Sequence, residues 1–394
     1  MERADNPAAP PGQSSIDLLI VGGGIMGLWA AVHAERAGLN TVLFDAAALG
    51  SGASGGLLGA LMPHMPDRWS EKKQFQFEAL VSLEAEIAAL EAATGLSAGY
   101  RRSGRIVPLP KPHLRRIAEG HSRDAEAHWR HGERRFHWHL RDEAPVGEWV
   151  DPASGESGFV HDTLAARVAP RSLTAVLAAF LRNARHVRIV EGTEVLALDA
   201  GQGIARTSTG DIRFGRCIVA AGYRSFPLLD AMTPGLQVPL GQPVKGQAAL
   251  LKAEVDPDLP VMFRDGLYIV PHEGGHVAVG STSEDSFAEP FTTDERLDAL
   301  VAAARALAPC LGHATVVERW AGLRPKAIDR DPMVGPHPDN PGLIALTGGF
   351  KVSFGLAHRL AAAAIGLARD EPDAVALPRS FSLANHIAVA SHKS

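Results

Sequence analysis

The sequence predicts an α/β fold in which a parallel-sheet domain is interleaved with an antiparallel-sheet domain. Three observations support this prediction. The chain opens with a strand, a glycine turn, a helix and a second strand between Ile16 and Asp45. Several short strand-like runs separated by turn residues lie between Pro239 and Val279, and a strand and an alanine-rich helix follow from Ile344 to Ala368. A length of 394 residues exceeds a comfortable single core, so two packed domains are expected.

The opening unit has the spacing of a turn that binds a dinucleotide. Ile16 to Val21 is a nearly unbroken apolar run of strand length, and Gly22, Gly24 and Gly27 follow it as GxGxxG. The first glycine permits the tight turn, the second leaves room for phosphate, and the third lets the helix lie close to the strand. The helix start at Ile25-Met26 then offers free N–H groups and a partial positive charge to a pyrophosphate. This pattern predicts a Rossmann-like domain.

The end of the second strand carries an acidic residue at the expected place. Thr41 to Phe44 is β-prone, and Asp45 follows Gly22 by 23 positions (45 − 22). A carboxylate here bonds an adenosine ribose 2′-OH, whereas an arginine would have indicated a 2′-phosphate. A glycine turn without a ligand is the alternative, and the strand, helix and acidic strand end together argue against it. The turn alone does not separate NAD from FAD.

The following segments extend this domain and then leave it. A loop of small residues from Gly50 to Met65 offers Ser51 and Ser54 to a phosphate or a nearby ring system. Apolar spacing predicts a helix over Glu71 to Ala93. From about Gly99 the residue pattern changes to strand-like runs interrupted by Arg, His and Pro, which indicates that the sheet domain begins here.

Later segments return to the nucleotide domain. Pro170 to Ala184 has helical spacing, and an apolar strand with a second glycine element spans Arg216 to Ser225. The predicted division is a nucleotide-binding domain at 16–98, 160–238 and 325–375, a substrate domain at 99–159 and 239–324, a disordered tail at 1–15 and a C-terminal tail at 376–394.

Composition excludes several classes of partner. The formal net charge of −5 argues against a general nucleic-acid partner, because phosphate binding needs a basic face. Two cysteines, Cys217 and Cys310, cannot form a disulfide framework and fit a reducing compartment, so a cytoplasmic location is expected. The most apolar late stretch, Leu360 to Ala368, is far shorter than a membrane span, so no membrane partner is expected. The sequence leaves a homo-oligomer open.

Seven motifs occur in an order that resembles a known family. They are VGGGIMGLWAA (21–31), GASGGLLGA (52–60), VAAGYRS (219–225), PVKGQ (243–247), YIVPHEGGHVAVGSTSE (268–284), WAGLRPKAIDRDPMVGP (320–336) and TGGFKVSFGLA (347–357). The chain resembles the D-amino acid oxidase (DAO) family of FAD-dependent oxidoreductases, and within it the glycine oxidase and sarcosine oxidase branch. The resemblance runs from Asp17 to about Asp370.

The resemblance implies FAD, bound in a Rossmann-like domain of the glutathione-reductase type. Helix-start amides in the turn at 349–354 would stabilise negative charge on the pyrimidine ring of the reduced flavin. The cysteine that attaches flavin in sarcosine oxidases has no counterpart in KAIDRDPMVG, so non-covalent FAD is expected. The cofactor-binding residues implied by the resemblance are Gly22, Gly24, Ile25, Met26, Gly27, Asp45, Ser51, Ser54, Gly55, Val195, Ala221, Gly222, Arg324, Gly349, Phe350, Lys351, Val352 and Ser353.

Three residues are the predicted catalytic set. Arg324 in GLRP is expected to clamp the substrate carboxylate through two parallel, charged donors, and a structural ion pair with Asp329 or another acid is the alternative. Tyr268 is expected either to face the substrate or to pack within its strand. Lys351 stands where glycine oxidases carry arginine in a GHFRNG-type turn. Lysine supplies charge without the bidentate fork, which argues against glycine itself as the substrate.

These features predict an FAD-dependent oxidase or dehydrogenase for the C–N bond of a small amino acid or N-methyl amino acid, of the glycine, sarcosine or D-amino acid type. Hydride transfer to flavin N5 would give an imine that hydrolyses, with oxygen or another acceptor reoxidising the flavin. The alternatives are a flavin subunit of a multi-chain amine dehydrogenase and an FAD enzyme acting on an aminomethyl group of modified tRNA. An NAD-dependent dehydrogenase is disfavoured, because it would not need the AAG strand or the C-terminal TGGF turn.

Histidines give weaker signals, and no metal site is predicted. A stretch rich in histidine, tryptophan and arginine is expected to be a solvated or partner-facing surface. If it is helical, His128 and His131 would share a face and could bind a metal. His64 either approaches the flavin ring or is polar surface, and Lys245 either lies near the flavin or ends a strand. The histidines of the stretch are His121, His128, His131, His137 and His139.

Overall fold

The computed structural model describes residues 16–393, and the predicted disordered tail at 1–15 lies outside the described residues. Helices within the described part of the chain pack on two large sheets. They are α1 (Ile25–Arg36), α2 (Glu71–Thr94), α3 (Pro112–His128), α4 (Pro170–Arg182), α5 (Ser225–Ala231), α6 (Glu295–Leu307), α7 (Ser353–Ala368) and α8 (Leu383–His392).

The strands are numbered along the chain, and most of them belong to the two large sheets. They are β1 (Ile16–Val21), β2 (Thr41–Phe44), β3 (Ala60–Leu61), β4 (Arg105–Pro108), β5 (Arg130–His131), β6 (Arg134–Arg135), β7 (Trp138–Arg141), β8 (Phe159–Asp162), β9 (Ala166–Arg167), β10 (Val187–Val190), β11 (Val195–Asp199), β12 (Ile204–Thr207), β13 (Gly210–Val219), β14 (Gly241–Lys252), β15 (Val261–Arg264), β16 (Leu267–His272), β17 (His276–Gly280), β18 (Thr315–Ala327), β19 (Met333–His337) and β20 (Asn340–Thr347).

The central strands of the first sheet are parallel, and the glycine turn lies at their carboxyl ends. The parallel strands run in the order β10, β2, β1, β13, β20, and β11, β12 and β19 add antiparallel pairs. Strands β1 and β2 are buried almost throughout, as expected for a sheet covered by helices. Helix α1 packs against α4 and α7, and its residues from Ile25 to Val32 are buried. The predicted Rossmann-like domain is confirmed.

The second sheet is almost entirely antiparallel. Within residues 16–393 its order is β18, β14, β17, β16, β15, β4, β8, β7. Neighbouring strands are antiparallel except for the pair of β15 and β4. Helix α6 packs on this sheet through a separate core cluster that includes Leu297 and Val301. The predicted antiparallel sheet is therefore confirmed.

Several predicted element boundaries differ from the observed ones for local reasons. Helix α2 ends where predicted, because Gly95 adopts the left-handed conformation with φ 70° and closes the helix. Strand β13 begins at Gly210, well before the predicted Arg216, because its first half pairs with β12. It ends at Val219, and the predicted continuation through Ser225 is wrong, because Gly222–Arg224 form a 3₁₀ turn.

The predicted domain division stays a prediction. Its boundaries at 160 and 325 fall within β8 and β18, which both belong to the second sheet. Residues outside the two predicted domains, at 376–394, contain α8, which packs beside β19 with Leu383 and Ala390 fully buried. Every helix within residues 16–393 is too short or too polar to cross a membrane.

Candidate active site

A cavity of about 1260 Å³ lies at the carboxyl ends of the parallel strands and extends to the second sheet. Its lining includes the glycine turn, the loop at 50–65, one face of the second sheet and the start of α7. Ligands of open α/β sheets bind in such a crevice outside the carboxyl ends of the strands.

The glycine turn is tight enough that side chains are excluded. Gly22 has φ 102°, and a Cβ there would lie 2.5 Å from the carbonyl oxygen of Ala220. A Cβ on Gly27 would lie 1.8 Å from the carbonyl oxygen of Gly22, so this glycine brings the helix against the turn as predicted. Gly24 lines the cavity, and a Cβ there would approach Ser54 Oγ to 3.2 Å.

Main-chain donors hold Asp45 at the cavity wall. The N–H of Gly23 donates to Oδ2 at 2.7 Å, and the N–H of Ala47 donates to Oδ1 at 2.8 Å. Each carboxylate oxygen keeps a further lone pair, so the group can still accept a hydroxyl from a ligand. The carboxylate is fixed before any ligand arrives.

Ser54 connects the small-residue loop to the start of α1. Its buried Oγ accepts from the N–H of Ile25 at 2.9 Å. This bond satisfies one of the N–H groups that helix starts leave free, while the hydroxyl proton remains available to an anion. Ser51 lines the cavity nearby and is exposed to it.

Most of the predicted cofactor residues line this cavity. Gly27, Gly55 and Gly349 do not, and each packs just behind the wall. Sequence reasoning missed an ion pair between Arg224 Nη1 and Glu194 Oε1, at 2.7 Å, in the same wall as Val195. The predicted cofactor residues in the lining are Gly22, Gly24, Ile25, Met26, Asp45, Ser51, Ser54, Val195, Ala221, Gly222, Arg324, Phe350, Lys351, Val352 and Ser353.

A strained turn brings the start of α7 to the cavity. Phe350 has φ 43°, in the left-handed region, and its N–H donates to the carbonyl of Pro325 at 3.1 Å. Val352 is the N-cap and the helix begins at Ser353, so its free N–H groups and partial positive charge lie at the cavity wall.

One face of the second sheet supplies the rest of the lining. Residues directly opposite each other in a sheet share a face, and so do residues two apart on one strand. Tyr268 lies opposite Phe263 on one side and Gly280 on the other. Gly280 lies opposite Ala248, which in turn lies opposite Trp320, so these residues share the face of Tyr268. Arg324 is four residues after Trp320 on the same strand. Tyr268 and Arg324 therefore point to the same side, into the cavity.

Arg324 is held by oxygen acceptors that leave part of its guanidinium unused. Nη1 donates to Ser281 Oγ at 3.0 Å, and Nη2 donates to the carbonyl of Thr282. The buried Nε has no partner among the described residues. Burial lowers the pKa of Arg324 to about 10, so the group stays charged at neutral pH. Asp329 instead accepts from Asn385, so the ion pair with Asp329 that was the structural alternative is absent from the described residues.

Phe350 connects two cationic side chains at this wall. The guanidinium carbon of Arg324 lies 5.6 Å from its ring centroid, and Lys351 Nζ lies 5.5 Å from the same centroid. These are cation–π distances. Burial and the charge of Arg324 lower the pKa of Lys351, whereas burial raises the pKa of Tyr268. This end of the cavity is therefore suited to an anionic ligand.

Arg105 is a second buried arginine in the lining, and sequence reasoning missed it. Its Nε donates to Oδ2 of the fully buried Asp162 at 2.6 Å, and Trp138 lies under the guanidinium at 5.4 Å. The available signal was a charged residue at the head of the apolar run RIVP, directly after Gly104. A charge in a buried strand requires a partner or a ligand.

The weaker candidates divide between the cavity and other places. His64 lines the cavity, its N–H donates to Gln76 Oε1 at 2.6 Å, and burial lowers its pKa. Lys245 lies inside β14 and is buried 3.9 Å from both Glu284 and Asp294, so the expectation that it ends a strand is wrong.

The histidine-rich stretch spans α3 and the short strands after it. His128 ends α3 and stacks on Trp69 at 4.7 Å, while His131 lies in β5, so the two do not share a helix face. Within residues 16–393, no group of three or more His, Cys, Asp and Glu side chains is arranged to hold a metal.

A glycine turn at the edge of a parallel sheet, opening into a cavity shared with an antiparallel sheet, defines a two-sheet dinucleotide-dependent oxidoreductase. The family model of FAD-dependent oxidoreductases named DAO matches residues 17–363. The chain belongs to the DAO family of FAD-dependent oxidoreductases. The predicted family is thereby confirmed, as is FAD rather than NAD as its cofactor.

The chain is also similar to characterised members of this family. It is 35% identical over 231 residues to the glycine oxidase of Pseudomonas aeruginosa, a match that spans 57% of this chain and 62% of that enzyme. It is 26% identical over 352 residues to the glycine oxidase of Bacillus licheniformis, spanning 85% of this chain and 88% of that enzyme. The crystal structure of glycine oxidase from Geobacillus kaustophilus superposes on this chain with a TM-score of 0.82 and 24% identity. The match spans 94% of this chain and 98% of that one. That likeness shows the fold.

Proposed function

We propose that this protein oxidises the C–N bond of a small amino acid or N-methyl amino acid with bound FAD. The observation that carries the proposal is Arg324, which lines the same cavity as the glycine turn and whose guanidinium is bonded only by neutral oxygen atoms among the described residues. The glycine oxidase relatives support an amino-acid substrate. The oxidation removes a hydride from Cα and a proton from nitrogen, and water then converts the imine into a carbonyl compound and free amine.

The residues present fit FAD along the whole cavity. Gly22 and Gly24 leave space for the pyrophosphate, and the start of α1 supplies N–H donors to it. Asp45 would accept the ribose 2′-OH, since its carboxylate is already fixed by two main-chain donors. The N–H groups at the start of α7 would face the pyrimidine edge of the ring. FAD supplies the hydride acceptor of the reaction when bound.

The chain itself binds and orients the substrate. Arg324 would hold the carboxylate through two charged donors, which fixes Cα relative to the ring. Lys351 adds a second positive charge nearby, since its Nζ also lies over the ring of Phe350. Tyr268, whose pKa is raised by burial, stays a neutral hydroxyl that can bond the bound amino acid. Positioning and exclusion of water account for most of the expected rate, because hydride transfer needs little acid–base help.

Two further properties belong to this proposal. Neither cysteine lines the cavity, since Cys217 is buried in β13 and Cys310 lies beyond α6, which supports a non-covalent cofactor. A reducing, cytoplasmic compartment remains the prediction made from the cysteine content. Oxygen or another acceptor would take the electrons. The subunit and tRNA alternatives are not favoured by these two relatives, which are named glycine oxidases.

The first test is spectroscopic. The purified protein should be yellow, and an anaerobic panel of glycine, sarcosine, proline, D-amino acids and N-methyl amino acids should include at least one compound that bleaches the flavin. Hydrogen peroxide release on admission of air then distinguishes an oxidase from a dehydrogenase. A flavin that binds but is bleached by no member of the panel would contradict the proposed substrate class.

The second test removes the clamp. Arg324→Met should retain the flavin but raise KM by about a hundredfold or more, since a charged bidentate pair contributes roughly 3 kcal/mol. Arg319→Met is the matched control, because Arg319 lies five residues earlier on β18, on the opposite face, and pairs with Asp298. Unchanged kinetics in the Arg324 variant would discard the clamp. Arg324→Lys should show an intermediate KM.

A further inference from the structure

We propose that Arg105 is a second anion-binding group of the active site, so that the preferred substrate carries a second carboxylate at the end remote from the reacting amine. The substrate class is an amino dicarboxylic acid. This inference rests on the proposed function, because it takes Arg324 as the clamp for the first carboxylate.

Arg105 is a buried cation with donors that the protein does not use. Its side chain is 3% exposed, it lines the cavity, and the only hydrogen bond that its side chain makes to the described residues goes from Nε to Asp162. Neither Nη1 nor Nη2 has a hydrogen-bond partner among the described residues, and of the two only Nη2 is fully buried. A buried N–H donor without an acceptor is costly, and a carboxylate oxygen would satisfy it.

Neighbouring arginines with structural roles are arranged differently. Arg102, three residues earlier, donates from Nε to Glu84, from Nη1 to the carbonyl of Leu164 and from Nη2 to the carbonyl of Leu80. Every nitrogen of that guanidinium is used by the fold, whereas the terminal donors of Arg105 are not. The pair with Asp162 therefore anchors Arg105 without accounting for the rest of the group.

The pair is anchored on the Asp162 side as well. Oδ1 of Asp162 accepts from the N–H of Ala165 at 2.8 Å, and Oδ2 accepts from Arg105. The carboxylate is thus fixed and offers no bidentate contact to the guanidinium. Trp138 supports the guanidinium from below. This arrangement holds Arg105 in one orientation, as a preorganised binding group requires.

The two arginines lie on either side of Tyr268 on one face of the sheet. Arg105 lies opposite Val261, which is two residues before Phe263, and Phe263 lies opposite Tyr268. Arg324 reaches the same face from β18. Both guanidinium charges act on the phenol of Tyr268, so both groups are near it. A ligand that contacts both arginines would span this tyrosine and carry an anion at each end.

A dicarboxylate satisfies this arrangement and a monocarboxylate does not. With a simple amino acid, the terminal nitrogens of Arg105 have no anionic acceptor in the cavity. With a second carboxylate, Arg105 forms a charge-assisted hydrogen bond, which is stronger than a neutral one. Sites built around buried polar groups discriminate strongly against analogues that leave those groups unpaired.

The test measures binding of unreactive carboxylates to the holoenzyme by calorimetry. Succinate and glutarate are compared with butyrate and valerate, which have the same chain lengths and one carboxylate less. The wild-type protein should bind at least one dicarboxylate about ten- to a hundredfold more tightly than its monocarboxylate counterpart. Equal affinities would overturn the proposal.

Two variants then locate the effect. Arg105→Met combined with Asp162→Asn removes both charges, so no carboxylate is left buried and unpaired, and Asn keeps the acceptor for Ala165. This double variant should bind dicarboxylates no more tightly than the matched monocarboxylates. Arg105→Lys keeps a charge beside Asp162 and should reduce the preference severalfold. A dicarboxylate preference that is undiminished in either folded variant would overturn the role of Arg105.

The outcome is separable from that of the proposed function. Bleaching by simple amino acids together with equal binding of mono- and dicarboxylates would overturn only the role of Arg105. Failure of every amino acid to bleach the flavin would overturn the proposed function itself. Bleaching by acidic amino acids with a higher kcat/KM than their shorter monocarboxylic counterparts, lost in the double variant, is the result expected here.

Discussion

The two ends of the cavity are formed by different kinds of chemical group. At the cofactor end the contacts come from the main chain, with glycines that exclude side chains and N–H groups that hold Asp45. At the sheet end they come from charged side chains on strands that are distant in sequence, namely Arg105 and Arg324. The acidic residues of the lining, Asp45 and Glu194, lie at the cofactor end.

This difference explains why one end is fixed and the other adjustable. A main-chain site cannot be changed one residue at a time, because a single Cβ at Gly22 or Gly27 collides with backbone atoms. A side-chain site on a sheet face can be changed by one substitution, because the backbone register is kept. The same cofactor end can therefore serve many substrates, and the arginines of the sheet end set which anion is accepted.

The sharpest test of the main-chain end is Gly27→Ala. The new Cβ would meet the carbonyl oxygen of Gly22 at 1.8 Å, so the helix or the turn must move. Affinity for FAD should fall about a hundredfold or more, on the basis of about 3 kcal/mol for an overpacked site. Titration of apoprotein with FAD, followed by flavin fluorescence, measures the loss.

A matched control separates this collision from a general effect of alanine. Gly120 lies in α3 with an ordinary φ and nothing within 4 Å of an added Cβ. Gly120→Ala should leave FAD affinity unchanged and stabilise the helix by about 0.5–1 kcal/mol. Normal flavin content in Gly27→Ala would contradict the main-chain account of this end.

Sequence alone predicts the cofactor end well for the same reason. Gly22 and Asp45 lie in one short unit, so local spacing reports the site directly. The sheet end depends on strand order and register, which bring residues of β4 and β18 to one face although four other strands lie between them. Arg324 was found through its resemblance to a family motif. Arg105 was missed, because its position at the head of the apolar run RIVP indicates burial but not which cavity or face of a sheet it would join.

The pH dependence of stability tests how the start of α7 is anchored. His358 in α7 is fully buried, contacts Trp29 and lies 2.9 Å from Ser82 Oγ. Burial lowers its pKa to about 3, with added repulsion from His33 and Arg359. The unfolded chain binds this proton near pH 6.5 and the folded chain does not, so stability falls as pH drops from about 6.5 towards 3.

The size of this effect is on the order of 3–5 kcal/mol if the full pKa difference is expressed. Urea unfolding of the protein at pH 6.5 and 4.5 should show about 2 kcal/mol of this loss. His358→Gln, which can keep a hydrogen bond to Ser82, provides the comparison. The unfolding free energy of the variant should depend less steeply on pH, by the equivalent of up to one bound proton. An identical slope in both proteins would show that His358 is not the group responsible.

A milder change at the cofactor end is Asp45→Asn. The amide keeps one acceptor for a main-chain N–H but places a donor against the other, and it weakens the bond to a ribose hydroxyl. Affinity for FAD should fall about tenfold, equivalent to about 1.4 kcal/mol. Asp17→Asn is the control, since Asp17 is exposed on β1 and does not line the cavity. Unaltered FAD binding in Asp45→Asn would remove the ribose role.

The smallest expected effect lies at the junction of the two ends. Lys351 is more exposed than the half-buried Arg324, so its charge is screened more by solvent. Lys351→Gln should therefore raise KM for a carboxylate substrate only about two- to fivefold, corresponding to about 0.4–1 kcal/mol. Lys351→Arg restores the charge and should behave as the wild type or better. Loss as large as that of Arg324→Met would mean that the main carboxylate contact lies on the turn before α7, at the cofactor end, and that the sheet end has a lesser part in substrate binding.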